Sequence, residues 1–347
     1  VTLETIKSEN EIKLEKNPDY LLAIPKNVGR LHSELNKKQT KIKKLIEKYE
    51  FNKIFSGKGK TGIVGCGITY LYAKELGEDL PVLKISAYPV DEDLIKDFVK
   101  NLNEVIVLEE GYPFVENLVK KYCDNVKGKL SGHLPLEGEL CVEPLLKIFG
   151  KIKSSTQNIK LIPRPPVLCP GCPHREFYKA LNEANPNFVT GDIGCYTLGA
   201  NPPLKAIDTC LCMGASIGNA SGIASQGIKR VAAVIGDSTF IHSGIPALIN
   251  AAYNKSDILV CILDNSSVAM TGHQPTPAVG ITAKGKETKK IDLVQLCKAC
   301  GADSVEVVDP YDKKSTFEAI KKGLDEPGVN VVISQRACIL VAKKLKS

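Results

Sequence analysis

The chain has 347 residues, 43% of them hydrophobic, which is enough for about two domains that each bury a core. Its formal net charge is +7, but the lysines are spread along the whole sequence without interleaved aromatic residues, so we expect no nucleic-acid binding; a basic surface of this kind suits an acidic electron carrier. No apolar stretch approaches the ~18 residues of a membrane span and no signal peptide opens the chain, so we expect a cytoplasmic protein.

The first part of the sequence predicts a small α/β domain that follows a charged N-terminal segment. Residues 1–56 are rich in lysine, and we interpret them as a linker and helical lead-in segment. Residues 57–150 alternate short apolar runs with helical patterns, as buried parallel strands and their crossover helices do. The predicted strands are at 62–65, 82–87 and 104–108, and the predicted helices at 68–76, 91–102 and 113–122. A proline-rich stretch at 163–166 marks the predicted domain boundary.

Residues 160–347 predict a second α/β domain. The predicted strands are at 188–190, 231–235, 258–263, 304–308 and 329–334, and the predicted helices at 174–184, 214–226, 243–254, 291–299 and 314–324. This alternation favours a doubly wound, mostly parallel sheet. The predicted fold class is therefore α/β, with two such domains. Ligands of these sheets bind beyond the carboxyl ends of the strands.

Polar residues follow two of these predicted strands and suggest a metal site. Asp237 ends one apolar run, and Asn265 ends the next, one helix and one strand later. Adjacent parallel strands would bring both to one edge of the sheet, where a carboxylate, an amide oxygen and the backbone carbonyl of Ser267 suit Mg²⁺. Gly236, Ser238 and Thr239 are small residues whose N–H groups could approach an anion.

This pattern resembles the thiamine diphosphate motif, in which Gly-Asp-Gly is followed some two dozen residues later by Asn-Asn. Here Ser238 replaces the last glycine and Asp264 replaces the first asparagine, and both side-chain ligands remain. Two other small-residue turns could line the same cofactor. They contribute Gly194, Gly214, Ala215 and Ser216 as candidates. The alternative interpretation of these turns is close packing of helix on strand.

Twelve cysteines are many for a chain whose thiols we expect to be reduced. Cys169 and Cys172 form a Cys-x2-Cys pair, Cys195 lies in a glycine turn, and Cys338 follows the last predicted strand. Four thiolates of this kind hold zinc or a [4Fe–4S] cluster, and buried free thiols are the third possibility. Dispersed third and fourth ligands beside a thiamine site favour the cluster.

The remaining cysteines are given other interpretations. Cys210 and Cys212 are the substitutes if Cys338 lies elsewhere. Cys297 and Cys300 share a helical face with leucines, which is typical of core packing.

Four segments together resemble the large (alpha) subunit of indolepyruvate ferredoxin oxidoreductase, within the 2-oxoacid:ferredoxin oxidoreductase family. They are Cys169-Pro-Gly-Cys-Pro-His-Arg175, Gly191-Asp-Ile-Gly-Cys195, Gly236-Asp-Ser-Thr-Phe-Ile-His-Ser-Gly-Ile245 and Met270-Thr-Gly-His-Gln-Pro275. The resemblance extends over most of residues 20–345. It likens residues 57–150 to core domain II of these oxidoreductases and residues 160–347 to their thiamine diphosphate-binding domain.

The resemblance implies oxidative decarboxylation of arylpyruvates with thiamine diphosphate, Mg²⁺ and a [4Fe–4S] cluster. Coenzyme A would be the co-substrate, ferredoxin the electron acceptor, and a small beta (gamma-type) subunit the partner. The family's N-terminal pyrimidine-binding domain and C-terminal ferredoxin-like domain do not match this sequence, so we expect the chain to be the middle part of the subunit, possessing little activity by itself.

Three histidines are candidates for proton transfer because each falls in a turn predicted to face the site. They are His174, His242 and His273. The alternative is that each fixes a loop by hydrogen bonds. Two rival functions remain: a cluster-free thiamine diphosphate-dependent 2-oxoacid decarboxylase, and a cofactor-binding fragment without catalysis.

Overall fold

The computed structural model describes residues 15–76, 79–152, 162 and 164–344. The chain divides into two compact units, residues 1–160 and 161–347. Within the described ranges, no helix is long and apolar enough to cross a bilayer.

Unit 1 is built on a five-stranded sheet in the order β1-β3-β2-β4-β5. The strands are β1 (Lys53–Phe55), β2 (Thr61–Cys66), β3 (Val82–Ile85), β4 (Glu104–Leu108) and β5 (Val126–Lys127). All neighbouring strands are parallel except β1, which runs antiparallel to β3. The edge strand β1 lies within residues 1–56, which were interpreted as a linker and helical segment. It was not predicted because three residues are too few to give a periodic signal.

In the described part of unit 1, six helices accompany this sheet. They are α1 (Pro18–Leu21), α2 (Pro25–Lys48), α3 (Thr69–Glu75), α4 (Glu92–Val99), α5 (Phe114–Val119) and α6 (Val142–Ile148). Residues of α4 and α5 pack on one face of the sheet, and those of α3 and α6 on the other. In α4, Asp91 caps the first turn by accepting the N–H of Asp93 at 3.2 Å, and Ile95 and Phe98 supply the buried face.

Unit 2 contains a six-stranded, wholly parallel sheet in the order β10-β11-β9-β8-β6-β7. The strands are β6 (Phe188–Gly191), β7 (Thr209–Cys210), β8 (Val231–Gly236), β9 (Ile258–Asp264), β10 (Ser304–Val308) and β11 (Val329–Gln335). Every residue of β8 and β9 is buried, which explains why both strands read as continuous apolar runs.

The helices of unit 2 cover both faces of this sheet. They are α7 (Pro173–Ala184), α8 (Ser216–Ser225), α9 (Asp237–Thr239), α10 (Ile245–Tyr253), α11 (Leu293–Ala299), α12 (Lys313–Asp325) and α13 (Ile339–Lys344). One core lies between the sheet and α7 and α12, and a second lies under α8, α10 and α11. The predicted doubly wound α/β architecture is confirmed.

The strand order fixes where a ligand can bind in unit 2. From β6 the chain moves outward to β7, then returns to the other side of β6 to form β8 and β9. The carboxyl ends of β6 and β8 therefore form a topological switch point, where loops diverge and leave a crevice. The segments after β6, β8 and β9 all open there.

Candidate functional site

The residues that follow β8 and β9 meet at one edge of the sheet. Gly236 pairs with Leu263 in the parallel register, so the next positions, Asp237 and Asp264, are neighbours and Asn265 follows. Asp237 is 3% exposed and Asn265 is 8% exposed. Both side chains line one cavity at the switch point, which we call the cofactor cavity.

The carboxyl group of Asp237 has a raised pKa and one oxygen that lacks a hydrogen-bond partner among the described residues. Its Oδ2 is buried and has no hydrogen-bond partner among the described residues. Burial, and then the adjacent Asp264 carboxylate, raise its pKa to about 7. A cation bound at this oxygen would supply the missing partner and offset the two neighbouring carboxylates, so the donor set fits a hard divalent metal such as Mg²⁺.

Asp264 is already engaged by hydrogen bonds. It accepts the backbone N–H of Ser266 at 2.9 Å and the side-chain amide of Gln335 at 2.8 Å. Gln335 ends β11 and was not singled out by the sequence, because a glutamine at the end of a strand has no distinctive pattern. Asp264 therefore shapes the turn after β9 and lowers the electrostatic potential at Asp237.

Asn265 and Ser267 form a tight turn at the cavity wall. The Asn265 Oδ1 accepts the backbone N–H of Ser267 at 3.2 Å, which is an Asx turn. This oxygen keeps a second lone pair for a metal. Ser267, predicted to contribute its carbonyl, lies in the same turn and lines the same cavity. We call residues 265–267 the metal loop.

Tyr196 lies beneath the cavity and was missed by the sequence analysis. A Cβ atom added at Gly236 would lie only 2.5 Å from its ring, and one at Gly194 would be closer still. Both glycines are therefore required for this close approach. The Tyr196 hydroxyl donates to the Ile193 carbonyl at 3.1 Å and lies 3.3 Å from the Thr239 hydroxyl. Tyr196 thus joins the turns after β6 and β8.

The predicted cofactor residues divide into two groups. Gly194, Gly236, Ser238 and Thr239 line the cofactor cavity together with the three residues predicted to bind the metal. Gly214, Ala215 and Ser216 do not appear in its wall; only their neighbour Met213 does.

The turn before α8 does not line the cofactor cavity because its N–H groups bind a buried carboxylate, that of Asp192. Asp192 accepts the Ser216 N–H at 2.9 Å and the Ser216 hydroxyl at 2.8 Å. Its pKa is raised by burial and pulled back by these bonds and by the N–H groups of Ala215 and Gly214. The N–H groups of this turn, which was predicted to line the cofactor, therefore face Asp192.

A second cavity is lined by all four predicted cluster cysteines, Cys169, Cys172, Cys195 and Cys338. We call it the cysteine cavity. The pKa of Cys172 is raised to about 11, mainly by burial and to a smaller extent by the Cys169, Cys338 and Cys195 thiols, while the backbone N–H of His174 lowers it. The Cys338 N–H donates to the Asn265 carbonyl at 2.9 Å, which ties the chain after β11 to this place.

The four thiols are not arranged around one ion. Within the ranges that the structure describes, no three His, Cys, Asp or Glu side chains are close enough to hold a single metal. A zinc ion needs its thiolates about 2.3 Å away, whereas a [4Fe–4S] cage spreads four sulfurs over a larger volume. Cys210 and Cys212, the substitutes, do not line this cavity.

The two cavities share a wall. Cys195, Asn265 and Ala269 line both of them. A group held by the four cysteines would therefore lie directly beside a cofactor held by the metal loop.

The three candidate histidines occupy different places. His174 is buried, burial lowers its pKa to about 4, and its Nε2 lies 3.4 Å from the Asn265 Nδ2. His273 is partly exposed, and its Nδ1 lies 3.4 Å from the Ser267 hydroxyl. Both line the cysteine cavity rather than the cofactor cavity. His242 is exposed in a π-helical turn and lines neither.

Comparison with known proteins adds to this geometry. Residues 192–334 match the family described as thiamine pyrophosphate enzyme, C-terminal TPP binding domain. The chain is 39% identical over 359 residues to a protein of Archaeoglobus fulgidus named indolepyruvate oxidoreductase subunit IorA, covering 96% of this chain and 58% of that relative. The chain thus spans under two thirds of that relative's length.

Two further likenesses are more distant. A sulfopyruvate decarboxylase subunit beta of Methanococcus maripaludis is 30% identical over 166 residues, covering 48% of this chain and 71% of that relative. A solved structure of 2-oxoglutarate:ferredoxin oxidoreductase from Magnetococcus marinus, with 2-oxoglutarate, coenzyme A and succinyl-CoA bound, aligns with a TM-score of 0.46 at 18% identity. That alignment covers 53% of this chain and 70% of the other.

Proposed function

Because the chain belongs to the family of indolepyruvate oxidoreductase IorA subunits, we propose that it carries the Mg²⁺–thiamine diphosphate site and a [4Fe–4S] site of a 2-oxoacid:ferredoxin oxidoreductase. The observation that carries this proposal is the pair of cavities with a common wall. One holds a buried carboxylate oxygen without a hydrogen-bond partner among the described residues, and the other gathers four cysteines from three separate segments.

In the cofactor cavity, Asp237, the Asn265 Oδ1 and the Ser267 carbonyl would hold the metal, and the metal would hold the diphosphate. When bound, thiamine diphosphate supplies the carbanion-stabilising chemistry that releases CO₂ from a 2-oxo acid. Gly194 and Gly236 keep the wall close to Tyr196, and Tyr196 keeps the turns after β6 and β8 together.

The apolar part of the cofactor cavity would exclude water from the reacting end of the cofactor. Met213, Val268 and Met270 lie in its wall. A dry, low-dielectric site strengthens the fixed charges and dipoles that act on the substrate. His174 is neutral at physiological pH because burial lowers its pKa to about 4, which makes it an unsuitable general acid there.

In the cysteine cavity, four thiolates would hold the cluster and bring it beside the cofactor. A cluster accepts one electron at a time, and the common wall keeps the path from the cofactor short. We assign ferredoxin as the next acceptor, consistent with the net positive charge of the chain, since an acidic carrier is attracted to a basic surface.

The finer assignments follow the name of the relatives. We assign an arylpyruvate of the indolepyruvate type as substrate, coenzyme A as co-substrate, and a small beta (gamma-type) subunit as partner. The enzyme class is then indolepyruvate ferredoxin oxidoreductase, in the cytoplasm. The chain spans 58% of the first relative, so complete turnover is assigned to the assembled complex.

A cluster-free 2-oxoacid decarboxylase is the second candidate, and the likeness to a sulfopyruvate decarboxylase subunit favours it. The two functions differ in what the cysteines do. A decarboxylase needs proton transfer only, so the convergence of Cys169, Cys172, Cys195 and Cys338 would have no purpose in it.

The test is anaerobic reconstitution of the chain with ferrous iron and sulfide, followed by calorimetry with thiamine diphosphate and Mg²⁺. We expect about four iron atoms per chain, absorbance near 400 nm, and metal-dependent binding of the cofactor that Asp237→Ala abolishes. Cofactor binding without any iron uptake would support the decarboxylase. Unchanged affinity in the Asp237→Ala variant would reject the cofactor site.

A further inference from the structure

The metal loop is held from the cysteine cavity by three separate contacts. The Asn265 Nδ2 faces the His174 Nε2 at 3.4 Å, and the Ser267 hydroxyl faces the His273 Nδ1 at 3.4 Å. The Asn265 carbonyl accepts the backbone N–H of Cys338 at 2.9 Å. Two histidines and one cysteine that line the cysteine cavity thus touch the loop that lines the other cavity.

The contact with His174 sets the orientation of the Asn265 amide. The backbone N–H of Ser267 can only donate, so the amide end that faces it at 3.2 Å must be the oxygen. The nitrogen end then points to His174, whose ring must accept with an unprotonated Nε2. Rotating the amide by half a turn would bring two donors together at Ser267 and is therefore disfavoured.

His174 is also connected to the cysteines. It is the second residue of α7, directly after Cys172 and Pro173, and its backbone N–H faces the Cys172 sulfur. Its ring is almost wholly buried, so the side chain has little freedom to move independently of the cysteine turn. Whatever fixes Cys172 fixes the acceptor for Asn265.

We propose that His174 is a positioning residue that makes filling of the cysteine cavity and binding of the metal–diphosphate by the metal loop mutually dependent. The inference rests on the proposed function. A cluster bound at Cys172 and Cys338 would hold His174 and the Asn265 backbone in place, and the Asn265 Oδ1 would then face the metal. By thermodynamic linkage, the metal–diphosphate must favour retention of the cluster by the same factor.

The experiment is calorimetric titration of the full chain with thiamine diphosphate at saturating Mg²⁺, in the cluster-free form and after reconstitution. We expect the cluster to lower the Kd by roughly 5–150-fold, the usual range of coupling between two sites. In His174→Leu the Kd of the reconstituted protein for thiamine diphosphate should rise about 10–100-fold, as for other residues that orient a metal ligand. The cluster-free and reconstituted forms of this variant should then bind thiamine diphosphate with the same Kd. His174→Gln, which keeps an acceptor, should retain part of the coupling.

Phe177→Leu is the matched control, since Phe177 is a fully buried core residue of the same helix that lines neither cavity. It should lower stability and leave the coupling unchanged. A second readout is the rate of iron loss to a chelator, which Mg²⁺–thiamine diphosphate should slow in the wild type and not in His174→Leu.

Two results would separate failure of this inference from failure of the proposed function. If the wild type binds both groups and the Kd is the same within twofold with and without the cluster, the coupling is wrong and the proposed function stands. If the wild type binds neither group, both are wrong. Should His174→Leu not fold, the two wild-type forms and His174→Gln still decide.

Discussion

Asp237 and Asp264 lie side by side at the ends of two parallel, fully buried strands, where burial and then the charge of Asp264 raise the pKa of Asp237 to about 7. Two adjacent carboxyl groups that are both buried are not readily ionised at the same time, because the two negative charges repel each other. Without a bound cation, the negative charges of Asp237 and Asp264 therefore destabilise the site. Two predictions follow from this repulsion.

The first prediction concerns stability without metal. Because the pKa of Asp237 is raised from 3.8 to about 7 on folding, its contribution to the free energy of unfolding is present below pH 3.8 and is lost as pH rises to about 7. The loss should be on the order of a few kcal/mol. Urea denaturation of metal-free protein should show this decline, and Asp237→Asn should flatten it. Parallel pH profiles for the two proteins would contradict the assignment.

The second prediction concerns the aspartate that replaces asparagine in the motif. Asp264→Asn removes the neighbouring charge but keeps an oxygen for the Ser266 N–H. The pKa of Asp237 should then fall, and Mg²⁺ should bind down to a lower pH, because protonated Asp237 cannot hold the metal. Calorimetry across pH 5–8 checks this. An unchanged midpoint would mean that burial alone sets the pKa of Asp237.

The third prediction tests the packing of Tyr196 under the cavity. Gly236→Ala places a Cβ atom 2.5 Å from the ring, which should cost about 1–3 kcal/mol in the free energy of unfolding. Adding Tyr196→Leu should recover part of that loss. Gly218→Ala is the control: Gly218 is an exposed helical residue at which an added Cβ atom would have no heavy atom within 4 Å, and the change should stabilise the protein by about 0.4–1 kcal/mol. Equal effects at both glycines would remove the role assigned to Tyr196.

The fourth prediction concerns the fourth cysteine. Cys338→Ser should reduce bound iron and acid-labile sulfide after anaerobic reconstitution, because the cluster loses one of its thiolates. Cys212→Ser should not, since Cys212 is exposed and does not line the cysteine cavity. The reverse pattern would move the fourth ligand to the Cys210 and Cys212 pair.

The sequence predicted the parts of unit 2 in which local pattern and topology agree. The strands that carry Asp237 and Asn265 are continuous apolar runs, and parallel neighbours must end at the same edge. The two-residue strand β7 and the edge strand β1 escaped prediction because neither is long enough for a periodic signal.

Part of the site could not be predicted because a side chain of the chain itself occupies groups that a ligand could have bound. Gly214, Ala215 and Ser216 form a turn suited to an anion, but the anion they meet is Asp192 of the same chain. Choosing between an internal carboxylate and a ligand requires knowing where the turn after β6 ends. Tyr196 was missed for a similar reason, since an aromatic residue after a cysteine gives no sign that two glycines lie against its ring.

The complete burial of β8 and β9 has a consequence for how the molecule opens. Amide hydrogens of strands buried on both faces exchange with solvent only when the whole sheet separates, whereas surface turns open far more often. The strands that end directly before Asp237 and Asn265 therefore belong to the last cooperative segment to unfold. Partial opening of the surrounding loops would admit solvent and release bound groups while the spacing of these two positions persisted, so that the metal site can re-form without refolding the domain.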